Sequence, residues 1–337
     1  MEQSTTSKAE TSDRSLKIPV WKRALNSMGI YVILLLLLPV GMLISPDFLS
    51  GGNLIKVFHA VALLGIVATG CAFITYSGHY VDLSIPVIMA FSGFAAVSAL
   101  PFGLFASLLS GVAAGLVLGL INGWAIGYLR LNPIIWTLAL AFLMAGFMRW
   151  IYGGNQIYPD PSTSAGAAFI GLARHEFAGI PMISAGWLLL ACLGQWIMKR
   201  TRLGLHIQLV GSSYEVARTS GVNVQRIVLL CLVISSFTSA IAGILLTSLS
   251  KQATFSNGLG YDFNAITAIV LGGIMLNGGK GSIIGVTGGV LFIGVLSNVM
   301  TLAGLDYFTQ LMLKGIVFII VVGATAWFSR KSGRAEG

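Results

Sequence analysis

Between Ala24 and Trp327 the sequence returns again and again to apolar runs about as long as a bilayer core is thick, and nothing else limits its possible folds so strongly. Crossing ~30 Å of hydrocarbon takes roughly 20 helical residues. Runs of that order occur at Ala24–Ile44, Leu54–Ile74, Leu83–Leu100, Phe102–Leu129, Ile134–Tyr152, Ile180–Met198, Ile227–Ser248, Phe263–Leu276, Ser282–Leu302 and Phe308–Trp327. Only 9% of the 337 residues are charged, where a soluble surface needs about 25%. The expected fold class is therefore an all-α polytopic membrane protein with about ten transmembrane helices. Cys71, Cys192 and Cys231 lie inside apolar runs without paired spacing, so they read as packing residues.

Residues 1–23 read as a disordered cytosolic tail, 24–329 as the membrane domain and 330–337 as a cytosolic C-terminal tail. No cleavable signal is expected, because no small-residue cleavage pattern follows the first apolar run. With both termini inside, 15 of the 20 Lys and Arg residues fall in cytosolic segments, which is the positive-inside asymmetry. The net charge of +9 thus reflects membrane orientation, and no nucleic acid is called for. The longest outer connection, Gly153 to Gly179, has room for a short surface helix facing an external partner.

Several runs are irregular in ways that suit transport. Glycines at 111, 115, 119, 123 and 127 form a four-residue stripe that lets a neighbouring helix backbone come close. Asn122 beside it is an interhelical hydrogen-bonding group or a pathway lining. The stretch Ser77–Pro86, with Gly78 and Pro86 flanking Asp82, predicts an irregular helix start, tolerated at membrane depth only inside protein or against water. Asp82-Leu-Ser-Ile-Pro resembles Asp262-Phe-Asn-Ala-Ile, and each precedes a glycine-rich run that ends near an asparagine, Asn122 or Asn298. The two copies cross in opposite senses, as inverted repeats of core helices do, and such repeats bracket a solute path. The expected pathway residues are Asp82, Ser84, Asn122, Asp262, Asn264 and Asn298.

Catalytic patterns are missing: there is no His-Glu-x-x-His and no Gly-x-Ser-x-Gly, and the four histidines are scattered. Gly278-Gly-Lys-Gly-Ser282 imitates part of a phosphate loop but has Ile274 in place of the first glycine and Gly281 after the lysine, so it reads as a tight turn. No enzyme, metal site or bound cofactor is expected. An ion-driven carrier keeps ionisable groups inside its spans, whereas Asp82, Asp262, Lys56, Arg149 and Lys314 fall near run ends. Energy therefore comes from a separate motor, with an ion-coupled secondary carrier as the alternative. The docking element is the polar interruption 199–226: Ser212 and Glu215 have capping-box spacing, Tyr214 to Ser220 can wind two turns, and Gly221 sits where a left-handed cap belongs. A lipid-surface anchor using Arg200 and Arg202 is the other use for it.

The run Thr201-Arg-Leu-Gly204 followed by Val210-Gly-Ser-Ser-Tyr-Glu-Val-Ala-Arg-Thr-Ser-Gly-Val-Asn-Val224 resembles the cytosolic loop of permease subunits of bacterial ATP-binding-cassette monosaccharide importers, the ribose permease group. Val81-Asp-Leu-Ser84, Ile121-Asn-Gly123, Asn132-Pro-Ile-Ile-Trp-Thr-Leu138, Val270-Leu-Gly-Gly273 and Gly278–Ser282 extend the likeness from Asn53 to Trp327. The resemblance implies a multi-pass inner-membrane subunit paired with an identical or similar permease. Two cytosolic ATPase subunits, which use the ATP and Mg, would dock on the loops, and a periplasmic solute-binding protein would deliver cargo. Glu215 and Arg218 would make polar contacts to the ATPase, with Tyr214 and Ala217 packing there. The sequence departs from the family pattern at Pro86, at Asn264 and at Ala145, for which Arg149 stands one turn later, so substrate identity does not transfer. Branched-chain amino-acid permeases are more distant relatives, and nucleosides or signalling sugars are other cargoes of this kind.

Overall fold

A computed structural model describes residues 20–79, 81–177, 179–275 and 278–333; most of both assigned tails lies outside them. Helix α1 (Val20–Ile44) begins inside the segment expected to be a tail, and α13 (Tyr307–Gly333) continues past its expected end at 329. The remaining apolar runs form α2 (Gly51–Tyr76), α3 (Ile85–Ser98), α4 (Leu104–Gly127), α5 (Pro133–Tyr152), α7 (Met182–Arg200), α10 (Val224–Ser250), α11 (Tyr261–Leu271) and α12 (Ile283–Leu302). Six of these, α2, α4, α5, α7, α10 and α12, are long and apolar enough to cross a membrane.

The ten expected runs are all helical, but they are not ten full spans. Helices α3 and α11 have 14 and 11 residues, about 21 and 16 Å at 1.5 Å per residue, too short for ~30 Å of hydrocarbon. The irregular stretches 77–84 and 251–260 lead into them. A Cβ on Gly258 would meet the Pro86 carbonyl and the Met89 side chain, so the approach to α11 lies against the first turn of α3. Two half-length helices that run in opposite senses and start beside each other must both start within the membrane's thickness.

Helix α2 is buried on every side from Val61 to Tyr76, the pattern of a helix with no lipid or solvent face. It packs against α10 at the centre of the molecule; α10 takes α3 and α4, while α2 takes α11 and α12. This exchange of partners follows the inverted-repeat expectation. The glycine stripe of α4 faces α10 along its length: added Cβ atoms at Gly119, Gly123 and Gly127 would sit 2.7 Å from Ser236 Cβ, 2.9 Å from Leu229 Cα and 2.8 Å from the Gln225 oxygen. In lipid the helix contact is held by such close van der Waals packing, since hydrocarbon tails are as apolar as leucine. Helix α1 adds outside α12, where the Tyr31 hydroxyl donates to the Ile284 carbonyl at 2.7 Å.

The long connection does contain a helix, α6 (Ser164–Leu172), capped by the Thr163 hydroxyl and followed by a two-residue antiparallel ladder of β1 (Glu176–Phe177) and β2 (Ile180–Pro181). One side of α6 is tied down: Phe169 is fully buried, and the Ser248 hydroxyl donates to its carbonyl at 2.6 Å. The interruption 199–226 holds two helices, not the expected one. Helix α8 (Arg202–Ser212) buries Gly204, Ile207 and Val210, and only then comes α9 (Tyr214–Thr219).

Candidate functional site

At the end of the bundle that carries α6, the starts of α2, α11 and α13 and the end of α12 surround a cavity of about 640 Å³. Its walls offer amides and hydroxyls from Asn53, Asn264, Ser297, Asn298, Thr301 and Gln310, with Tyr261, Tyr307, Lys56 and Lys314. Asn53 and Asn298 exchange two side-chain hydrogen bonds of 2.9 and 3.0 Å, fixing α2 to α12 at the cavity wall. Among the described residues the Asn264 side chain has no hydrogen-bond partner, and it lines the cavity. Two of the six expected pathway residues, Asn264 and Asn298, therefore meet in one place.

The other four do not. Asp82, Ser84 and Asn122 are fully buried and line none of the described cavities. They form a chain: the Ser84 hydroxyl donates to Asp82, the Asn122 amide donates to Ser84 at 2.8 Å, and the Trp136 indole donates to the Asn122 oxygen at 3.0 Å. The backbone N–H of Leu83 donates to the Thr137 hydroxyl at 3.1 Å, so α5 satisfies the irregular start of α3. Asn122 thus hydrogen-bonds between helices, as the first of its two expected roles had it. Asp262, in the first turn of α11, is buried beside the cavity and does not line it. Among the described residues, one carboxylate oxygen of each aspartate, Oδ2 of Asp82 and Oδ1 of Asp262, has no hydrogen-bond partner. The placement of these two carboxylates near the ends of full spans is corrected: they stand at the starts of half-length helices, inside the protein.

The opposite end carries α8 and α9. Ser213, not Ser212, caps α9, with its hydroxyl accepting from the Val216 N–H at 3.3 Å; Ser212 closes α8 and is exposed. The capping box is therefore absent, because α8 uses up the residue that would have begun it. Gly221 does adopt the left-handed conformation, φ +78°, with Gly221 donating to Arg218 and Val222 to Ala217, each at 3.0 Å, the Schellman pairing. Ala217 is fully buried against its own chain, which removes it from any docking surface. The exposed residues of α9 are Tyr214, Glu215, Val216, Arg218 and Thr219.

This pair of helices is fastened to the bundle at two points, through Gly211 of α8 and Tyr214 of α9. A Cβ on Gly211 would run into the Tyr76 carbonyl at the end of α2, and Gly279 donates to that same carbonyl at 2.9 Å, so the glycine-rich turn is a brace between helix ends. The Gln195 side chain accepts from the Ile283 N–H at 2.9 Å and thereby caps α12 from α7. Arg130, itself at φ +56°, donates to the Tyr214 hydroxyl at 3.0 Å and links α9 to the turn between α4 and α5. Among the described residues no three His, Cys, Asp or Glu side chains gather to hold a metal ion.

Residues 53–322 match the family model described as branched-chain amino acid transport system / permease component. The chain is 33% identical over 307 residues to the ribose import permease protein of Bacillus subtilis, covering 88% of this chain and 92% of that one. It is 32% identical to the L-arabinose transport system permease protein of Escherichia coli over 89% and 90% of the two chains. The L-arabinose ABC transporter permease protein of Azospirillum brasilense is 29% identical, over 90% and 88%.

The chain belongs to this permease family. The permease is accordingly a multi-pass membrane component of a transport system, not an enzyme. Of the ten polar residues named on the wall of the permease's cavity, only Asn264 and Asn298 are expected from the sequence. Lys56 and Lys314 are marked there only as lying near run ends, and Asn53, Ser297 and Gln310 carry no motif. The usable signal was polar groups at the same end of α2, α12 and α13, but one-dimensional order does not say that these three ends converge. Of the departures from the family pattern, Pro86 occupies the first turn of α3, where a missing N–H is harmless. Arg149 donates to the Ala145 carbonyl at 3.0 Å and stacks 4.9 Å over the Phe255 ring.

Proposed function

We propose that this permease carries a monosaccharide, or a small polyol close to one, inward across the bacterial inner membrane as part of an ATP-binding-cassette importer. The observation that carries the reading is the cavity: its volume lies within the ~300–1,000 Å³ of small-molecule sites, and its amides and hydroxyls suit a polyhydroxylated solute. The sugars named for the ribose and arabinose relatives support the same class. Asn264 and Asn298 contact the solute, and Asp82, Ser84, Asn122 and Asp262 shape the helix starts around its path.

The excess of Lys and Arg at the α8–α9 end supports a cytosolic location for that end and for both termini. There a partner ATPase, which holds the ATP and Mg, docks on α9 through Tyr214, Glu215, Val216 and Arg218, with Ser212 at the rim and Gly221 setting the helix end. The permease works beside a second copy or a similar permease, and a periplasmic binding protein delivers solute at the α6 end. ATP-driven closure of the motors draws the two α9 helices together. The Arg130 and Gly211 fastenings pass the displacement to α4 and α2. For this to drive transport, nucleotide and solute must prefer different conformations by a few kcal/mol.

The test is reconstitution of Glu215→Arg, Arg218→Glu permease with its ATPase and binding protein. The expected result is loss of ATPase binding and of ATP-dependent uptake. Wild-type binding and uptake would overturn the docking surface, and uptake that an uncoupler abolishes but ATP does not affect would replace the importer with an ion-coupled carrier.

A further inference from the structure

We propose that the 640 Å³ cavity selects a solute bearing an anionic group, a carboxylate or phosphate on a small polyol, and that Lys56 and Lys314 hold that group. The inference rests on the cavity being the solute site, as proposed above, and narrows its cargo. Lys56 comes from the second turn of α2 and Lys314 from the third turn of α13, so two cations from distant parts of the chain line one open-sided cavity, Lys56 exposed at it and Lys314 half-buried. No carboxylate is among the residues lining it.

The two acids nearest in sequence do not supply the missing charge. Asp262 follows the lining residue Tyr261 but is buried and does not line the cavity. Asp306 precedes the lining residue Tyr307 but does not line the cavity either; its carboxylate is held in the first turn of α13 by the Phe308 and Thr309 N–H groups at 2.9 and 3.2 Å and by the Thr309 hydroxyl. Neither lysine makes an ion pair or a hydrogen bond among the described residues.

The half-buried Lys314 ammonium loses hydration and favours a counter-charge, the more so on a membrane helix, and the exposed Lys56 adds a second positive charge at the mouth of the same cavity. Two such groups in one concave site focus a positive potential that attracts anions and repels cations. A neutral sugar would need only the amides and hydroxyls already present. The other source of the same chemistry is a lipid phosphate, reached by lysines extending toward the headgroups, and the experiment separates the two.

The full-length permease is placed in nanodiscs of phosphatidylcholine alone, and ribose, ribonate and ribose 5-phosphate are titrated with ligand-observed NMR, which registers weak binding. Ribonate or ribose 5-phosphate is expected to bind at least tenfold more tightly than ribose, with the preference shrinking as salt rises. The Lys56→Gln, Lys314→Gln double variant is expected to bind neither anion better than ribose, with its folding checked by thermal melting. Equal binding of neutral and anionic ligands to the wild type, or a preference that survives in the double variant, overturns the proposal. So does phosphatidylglycerol that copurifies with the wild type, not with the double variant, while the wild type shows no preference for the anions; the lysines then serve a lipid. Asn264→Ala tells the two levels apart. If it weakens every ligand while the wild type does not distinguish them, the site stands and the charge selection falls; if it weakens none, the cavity is not the solute site and both readings fall.

Discussion

The two inverted halves of the core start from the same short pattern, Asp-Leu-Ser at 82–84 and Asp-Phe-Asn at 262–264, and end in opposite conditions. Around α3 the polar residues are consumed by one another: Asp82, Ser84, Asn122 and Trp136 form a continuous chain, and α5 closes over it. Around α11 the helix that packs on it is α13, where Phe263 meets Phe318, and a cavity remains between them and α12. Among the described residues the Asn264 side chain has no hydrogen-bond partner, and it lines that cavity. Repeat symmetry thus sets the helix framework, while the polar groups on it divide into a structural set and a solute-facing set. Polar side chains inside a membrane protein are costly unless paired, so the half whose side chains mostly pair with one another contributes rigidity, and the half that offers the Asn264 amide is available for binding.

The comparison can be broken most directly at the α4–α10 seam that supports the closed half. Gly119→Leu drives a side chain into Ser236 and is expected to cost about 3 kcal/mol of stability, seen as a lower melting temperature in detergent. Gly146→Leu on α5, where a Cβ would meet nothing within 4 Å, is the control and should melt like the wild type. If both variants melt alike, the stripe is not the contact described here.

The division of polar roles predicts a contrast between two asparagines. Asn122→Leu strands the Trp136 N–H and is expected to cost about 2 kcal/mol of stability. Asn264→Leu should change stability by less than about 0.5 kcal/mol, as a substitution away from any packed or paired feature does, yet lower solute uptake at least tenfold. Reversal of that contrast, with Asn122→Leu stable and transport-dead and Asn264→Leu unfolded, would exchange the roles of the halves.

A finer test is the Asn53–Asn298 pair, which joins α2 to α12 at the cavity wall. A double-mutant cycle to alanine should give a coupling of about 1 kcal/mol, and a value near zero would mean the two side chains act separately. The smallest effect belongs to the α9 cap. Ser213→Ala should weaken that helix by about 1 kcal/mol, read as faster amide exchange at Val216, while Ser212→Ala leaves the exchange unchanged. The opposite result would restore the capping box that the sequence suggests.

What the sequence determined by itself is whatever depends on local pattern. Runs of apolar residues specify helices and a membrane environment, because an unpaired backbone cannot persist in hydrocarbon. The four-residue glycine period marked the face of α4 that accepts another backbone, and Gly221 marked a left-handed helix end, since both depend on side-chain volume at known spacing. Only the tertiary structure decided which polar residues work together. Asn122 and Asn298 occupy equivalent places in their repeats, yet one is enclosed by Trp136 on α5 and the other faces a cavity with Asn53 and Lys314. Ala217 likewise matches the docking motif but turns inward because α9 rests on the bundle. The physical reason is the same in each case: a polar or small side chain takes its role from the partner that satisfies or excludes it, and that partner lies up to 245 positions away along the chain.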